Sequence, residues 1–244
     1  MTGKRRAMRR LIESLRRWKT EFHDSFSGEI VTEADRRRSR LYVDWIDHGI
    51  LRALWHNFHE IAPGVFRSNH PDHGRLASYA AREIRTILTF RGEVTKPFHR
   101  LEEESCAALG LDLHRIRMTA RAAPRREALL QLLDFFDTAP RPFLMHCKSG
   151  ADRTSLASAL YLIHAEGATV AEARAQMSPR YIHFRWTATG ILDEVLDAYE
   201  ERLQRGPIPL RDWISAEYDA DEITRRFTQR RRGRGAAVPG GPAP

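Results

Sequence analysis

Apolar residues in this chain fall into two alternating kinds of stretch. Short stretches rich in apolar and β-branched residues occur around Val65-Phe66, over Ile84–Phe90, over Leu111–Ile116 and over Pro142–Met145, the last a continuous apolar run. Runs of that length predict buried strands. Between and after them, apolar positions recur at helical spacing in Leu76–Arg82, Leu101–Leu109, Arg125–Asp137, Leu156–Ile163, Thr169–Met177 and Thr187–Leu203; these predict helices packed through one face, or, for Leu156–Ile163, on every side. Pro63-Gly64 predicts a turn before the first strand, Pro71 its end, and Gly167 the close of the helix before it. Strands alternating with helices predict an α/β fold: a central, mostly parallel sheet flanked by helices, with ligands at the carboxyl ends of the strands.

The two ends read differently. Lys4–Lys19 places Met8, Leu11, Ile12, Leu15 and Trp18 at helical spacing among arginines, and Tyr42–Phe58 predicts a helix leading into the sheet. The net charge is +8, but residues 1–40 hold 12 Lys/Arg against 6 acids, and residues 225–244 hold 6 Arg and no acid. The middle is slightly acidic, so the basicity belongs to the ends. Such ends attract anionic lipid or act as solubilising tails; nucleic acid is not the expected partner. The expected organisation is a basic helical N-terminal extension over 1–60, a catalytic domain over 61–205, a packing segment over 206–229 that Trp213 and Tyr218 anchor, and a disordered basic tail over 230–244. Two distant cysteines, Cys106 and Cys147, and no apolar run of spanning length predict a cytoplasmic protein, peripheral membrane contact being the most the ends would add.

The candidate chemistry is concentrated in His146-Cys147-Lys148-Ser149-Gly150-Ala151-Asp152-Arg153-Thr154, on the turn from a predicted strand to a predicted helix. At such a turn the free amides of the helix N-terminus point outward together and the helix dipole favours negative charge. Cys147 beside Arg153 would have its thiol pKa lowered. Lys148, Ser149, Gly150, Ala151 and Asp152 would supply amides to cradle phosphoryl oxygens, Gly150 giving the backbone its freedom. Arg153 offers a planar fork for two of those oxygens, and Thr154 could give its hydroxyl to the sulfur and cap the helix.

With five residues between Cys147 and Arg153, and Thr154 following, this loop resembles the HCx5R[S/T] signature of cysteine-dependent phosphatases. Ala62-Pro63-Gly64-Val65-Phe66-Arg67-Ser68-Asn69-His70-Pro71 is similar to the opening of bacterial and fungal atypical dual-specificity phosphatases, and Leu88–Glu93 to their LNLRGE. The resemblance spans about residues 61–200. It implies the protein tyrosine phosphatase superfamily fold and phosphomonoester hydrolysis through a phosphocysteine intermediate. Cys147 would be the nucleophile, Arg153 and the loop the phosphoryl site, and His146 an orienting residue. One departure stands out: Arg117–Pro124, where many relatives carry an aspartate general acid, holds no Asp or Glu. Asp152, at an offset that resembles myotubularins and some bacterial phosphatases, is the candidate acid, an orienting partner of arginine being its other reading. The expected substrates are phosphotyrosine proteins, in the dual-specificity manner, or phosphoinositide and other lipid or inositol phosphates, Lys148 adding charge for the latter. The alternative is a phosphate-binding pseudophosphatase module with little turnover. No cofactor is expected, and no metal: the pairs His56 with His59 and His70 with His73 lack a matched third ligand.

Overall fold

The computed structural model describes residues 32–47, 55–92 and 94–236, with positions 13, 14, 17, 21, 26, 49 and 52 before and among them. The amphipathic stretch Lys4–Lys19 lies largely outside the described residues, as do 237–244. Two compact units emerge, one from residues 1–55 with 93–108, the other from 56–92 with 109–244.

In the first unit, helix α1 (Glu33–Leu41) opens on a reciprocal cap: Thr32 Oγ1 accepts from the Asp35 amide at 3.1 Å and Asp35 Oδ2 accepts from the Thr32 amide at 2.9 Å. It runs into a π-helical turn, Tyr42–Ile46. The helix expected over Tyr42–Phe58 is therefore not continuous; residues 55–58 have no regular structure. Arg36 pairs with Glu104 at 2.6 Å on the helix Pro97–Leu109, labelled α3 below.

The second unit carries the sheet. Strands β1 (His59–Ala62) and β2 (Val65–Ser68) form an antiparallel hairpin. Helix α2 (His73–Ala80), β3 (Thr86–Thr89), β4 (Asp112–Arg115), α4 (Arg126–Thr138), β5 (Phe143–His146) and α5 (Arg153–Ala165) then follow, α3 of the first unit lying between β3 and β4 in the chain. The strand order is β1-β2-β5-β3-β4, parallel except for the hairpin. β5 sits in the middle, Ser68 and Thr89 flanking His146 in register. Phe143 and Met145 join a core with Leu129, Leu132 and Leu133 of α4 and Leu156 and Leu160 of α5. Leu144, between them, is also fully buried and points to the opposite face by strand alternation. Both faces of β5 are covered, which is why its sequence is apolar throughout. β1 is the strand the sequence pattern missed, because His59-Glu60-Ile61-Ala62 is a half-exposed edge.

After α5 come α6 (Val170–Ala173), three short 3₁₀ turns, α7 (Asp193–Leu203), α8 (Leu210–Ala216) and α9 (Ala220–Ala236). Trp213 and Tyr218 are buried in the same core, as expected. Helix α9 continues to Ala236, into the segment expected to be disordered from 230. Arg-rich composition does not prevent a helix where Arg225 and Arg226 pair with Glu222 one turn back and Arg230 reaches Glu194 at 2.6 Å. Among the described residues no helix is long and apolar enough to cross a membrane.

Candidate active site

The loop Cys147–Asp152 leaves the carboxyl end of the central strand and enters α5, whose residues Thr154 to Tyr161 are all buried. Its backbone is pinned from outside, one peptide after another. The Lys148 carbonyl accepts from the His70 amide at 3.2 Å, the Ser149 carbonyl from Asn57 Nδ2 at 3.3 Å, and the Gly150 carbonyl from Arg67 Nη2 at 2.6 Å. In a trans peptide the C=O of one residue and the N–H of the next point in opposite directions. Three consecutive carbonyls held outward thus turn the amides of Ser149, Gly150 and Ala151 to the other side. That is a cradle for an anion.

Gly150 is required twice over. Its φ is +68°, and a Cβ there would lie 2.7 Å from the Ser68 carbonyl oxygen and 2.8 Å from the Asn69 amide nitrogen, both backbone atoms. Gly150→Ala should destabilise the chain by about 1–3 kcal/mol and lower turnover about tenfold or more through the displaced amides. Urea unfolding and phosphate release check the two parts. Unchanged values in both would mean that the loop accommodates a Cβ.

Arg67 is the buried support of this arrangement. It is fully buried, and besides the Gly150 carbonyl it donates to Ser155 Oγ at 2.8 Å and Gln176 Oε1 at 2.9 Å while stacking 3.8 Å above the Tyr181 ring. Burial pulls its guanidinium down to about 10, the Tyr181 and Cys147 charges acting the other way, so it stays charged at neutral pH. Asn57 also donates to the Tyr181 carbonyl at 3.3 Å.

Cys147 is 1% exposed. Burial pushes its thiol up; the Arg153 guanidinium and the hydroxyl and amide of Thr154 act against that, Asp152 opposes them, and the balance lies below the ordinary thiol value. Thr154 Oγ1 is buried without a partner of good hydrogen-bond geometry, so its pull on the sulfur is weaker than a formed bond. Thr154 does not cap α5; Asp152 is the N-cap residue, and its side chain makes no capping bond. Arg153 is held by Nη1, which donates to the carbonyls of Phe90 at 3.1 Å and Met118 at 3.4 Å. Its Nε is buried without a partner, a donor that suits an oxyanion. His146, buried at the end of β5, brings Nδ1 to 3.4 Å from the Cys147 carbonyl.

The fold brings one further group here. His183 lies with Nδ1 2.8 Å from Asp152 Oδ1 and Nε2 2.7 Å from Asp193 Oδ2, its side chain fully buried. The segment Pro179–Arg185 therefore touches the loop at Asp152. The sequence signals for Arg67 and His183 were a charged residue inside an apolar strand and a histidine between Ile182 and Phe184. Burial opposes the charge on His183, but hydrogen bonds to the two carboxylates raise it from the ordinary 6.5 to about 9. A value raised on folding contributes stability in full below about pH 6.5 and loses it as pH rises through about 9. The unfolding free energy should fall by about 3 kcal/mol across that window relative to His183→Gln. Parallel curves for the two proteins in urea would refute it.

A family model for the PTP-like phytases, described by inositol hexakisphosphate, matches residues 67–164, less than half of the chain but including Arg67, the loop and α5. No curated protein matches the chain. Among solved structures, TpbA of P. aeruginosa is 18% identical, with 71% of this chain and 91% of that chain covered and a TM-score of 0.48. Tk-PTP is 21% identical, with 61% and 99% covered and a TM-score of 0.49. The core catalytic domain of the PP-IP phosphatase SIW14 from S. cerevisiae is 17% identical, with 63% and 96% covered and a TM-score of 0.46.

Proposed function

We infer that this chain, a member of the cysteine-dependent protein tyrosine phosphatase superfamily, hydrolyses phosphomonoesters through Cys147. The observation that carries the reading is the convergence, at one strand end, of a thiol held below its ordinary value, three peptide amides turned the same way and the unpartnered Nε of Arg153. The Cys147 thiolate attacks phosphorus; the Sγ–P bond forms as the ester P–O bond breaks, and Asp152 hands the leaving oxygen a proton that it draws from the His183 imidazolium, 2.8 Å away. Water then attacks phosphorus and passes a proton to the Asp152 carboxylate, which returns it to His183; the new O–P bond forms as Sγ–P breaks, releasing phosphate and the thiolate. The loop amides and Arg153 hold the equatorial oxygens throughout, fixed donors where charge spreads in the transition state.

For substrate, a polyanionic inositol phosphate or phosphoinositide headgroup is favoured over phosphotyrosine. Nη1 of Arg153 ties the segments at Phe90 and Met118 to the loop. In sequence, Arg91 and Arg117 adjoin those two segments and Lys148 lies in the loop itself, cationic residues that suit a substrate with more than one phosphate. The family match points the same way. Phosphotyrosine stands as the second reading because a single-phosphate ester needs only the loop. The test is release of inorganic phosphate by the reduced protein from inositol hexakisphosphate, phosphoinositide vesicles and phosphotyrosine peptides, with acid quenching to trap phosphocysteine. Phosphate release with label trapped on Cys147 is the expected result. Oxyanion binding with no turnover on any substrate would make the chain a phosphate-binding module instead.

A further inference from the structure

An aspartate inside an anion-binding loop is an electrostatic anomaly. The loop must hold a thiolate and then a phosphoryl group, and the Asp152 carboxylate opposes both; its charge acts directly against ionisation of Cys147. We propose that His183 is the counter-ion that makes this arrangement tolerable: its imidazolium, clamped between Asp152 and Asp193, offsets the Asp152 carboxylate and so sustains the Cys147 thiolate and oxyanion binding in the loop. The proposal rests on the reading of Cys147 and its loop as the phosphoryl site. It makes His183 a positioning residue, acting through Asp152 and not touching substrate.

The geometry supports it at each link. Both ring nitrogens of His183 lie at hydrogen-bond distance from carboxylate oxygens, 2.8 and 2.7 Å. Two carboxylates are acceptors only, and an imidazole donates from both nitrogens only when protonated. A fully buried cation needs pairing of this kind. Asp193 is itself buried and lies in the first turn of α7, where the helix dipole favours its negative charge. The backbone is shaped to deliver the ring. Ile182 adopts φ +60°, closing the 3₁₀ turn Pro179–Tyr181, and a Cβ on Gly190 would collide with the Arg185 carbonyl, so the chain folds back on itself just beyond His183. The charged groups that act on His183 are Asp152 from the loop and Asp193 from α7. Those that act on Cys147 are Arg153 and Asp152 from the loop and Arg67 from β2. Because burial together with two carboxylates leaves His183 charged to about pH 9, it serves across the neutral range.

The test is a double-mutant cycle on the thiol itself, so it does not depend on knowing the substrate. Full-length wild type, His183→Gln, Asp152→Asn and the double variant are alkylated with iodoacetamide across pH, modification being read at Cys147 by mass spectrometry; inorganic phosphate affinity and urea unfolding are measured alongside. His183→Gln should move the Cys147 titration up by about one pH unit and weaken phosphate binding roughly tenfold. In the Asp152→Asn background the same change should do neither, because the charge it balances is gone. Equal shifts in both backgrounds, or none in either, would overturn the proposal. Should His183→Gln fail to fold, Asp193→Asn keeps the imidazole and removes one clamp; the thiol shift should then appear only above neutral pH, and a wild-type titration would refute the assignment. Thiol titration and anion binding remain readable if no ester is hydrolysed, so failure of the enzymatic reading is distinct from failure of this one.

Discussion

Cys147→Ser is expected to lower phosphate release by about 10⁴-fold or more, with the fold and the phosphate site intact. The sulfur is buried at the head of a helix, and its nucleophilicity depends on being ionised there. Arg153 and Thr154 draw the thiol below its ordinary value against the cost of burial. A serine hydroxyl in the same field stays protonated at any pH the protein survives, and the loop offers it only Asp152 as a base, already engaged by His183. Because the loop carbonyls are held by His70, Asn57 and Arg67, none of which the substitution touches, the amide cradle should persist. Phosphate affinity measured by calorimetry should therefore change by no more than a few-fold. Residual turnover within tenfold of wild type would remove Cys147 from the nucleophile's role.

Arg153→Lys should cost about 10²–10³-fold in kcat/KM, most of it in kcat. Nη1 of Arg153 is spent on the Phe90 and Met118 carbonyls, and that anchoring leaves the rest of the planar fork aimed in a fixed direction. A lysine ammonium keeps the charge but cannot be anchored at one nitrogen while donating from another, so two fixed donors to the transition state become one mobile charge. The thiol should rise only slightly, since the charge remains in range. Steady-state kinetics together with the alkylation profile separate these effects. A loss confined to KM would indicate that Arg153 only binds the ground state.

The candidate catalytic loop was legible in the sequence because its chemistry is local: nine successive residues carry the cysteine, the amides and the arginine, and an apolar strand and helix bracket them. Most of the sheet and helices were legible for the same reason, buried β5 and α5 especially. What was not legible depends on contacts between segments far apart in the chain. Arg67 meets Gly150, Ser155, Gln176 and Tyr181, and His183 meets Asp152 and Asp193, through folding that no periodicity encodes. The expected capping role of Thr154 failed because the helix opens two residues earlier, at Asp152, and the turn places the Thr154 hydroxyl near the sulfur. The expected helix over Tyr42–Phe58 is broken before Asn57, whose φ of +47° turns the chain toward β1 and frees its side chain to reach the loop.

Arg67 also bears on where this catalytic module can be cut. The segment that matches the phytase family ends at residue 164, yet two of the four groups that surround the Arg67 guanidinium, Gln176 and Tyr181, come later, as do both members of the His183–Asp193 pair. A chain ending soon after α5 would retain the whole proposed phosphoryl site and lose what seats it, leaving a buried cation with half its partners. The smallest transplantable unit is therefore set by the far end of a hydrogen-bond network and not by the reach of the motif. Anyone grafting this loop onto another scaffold would have to carry the chain through at least Asp193.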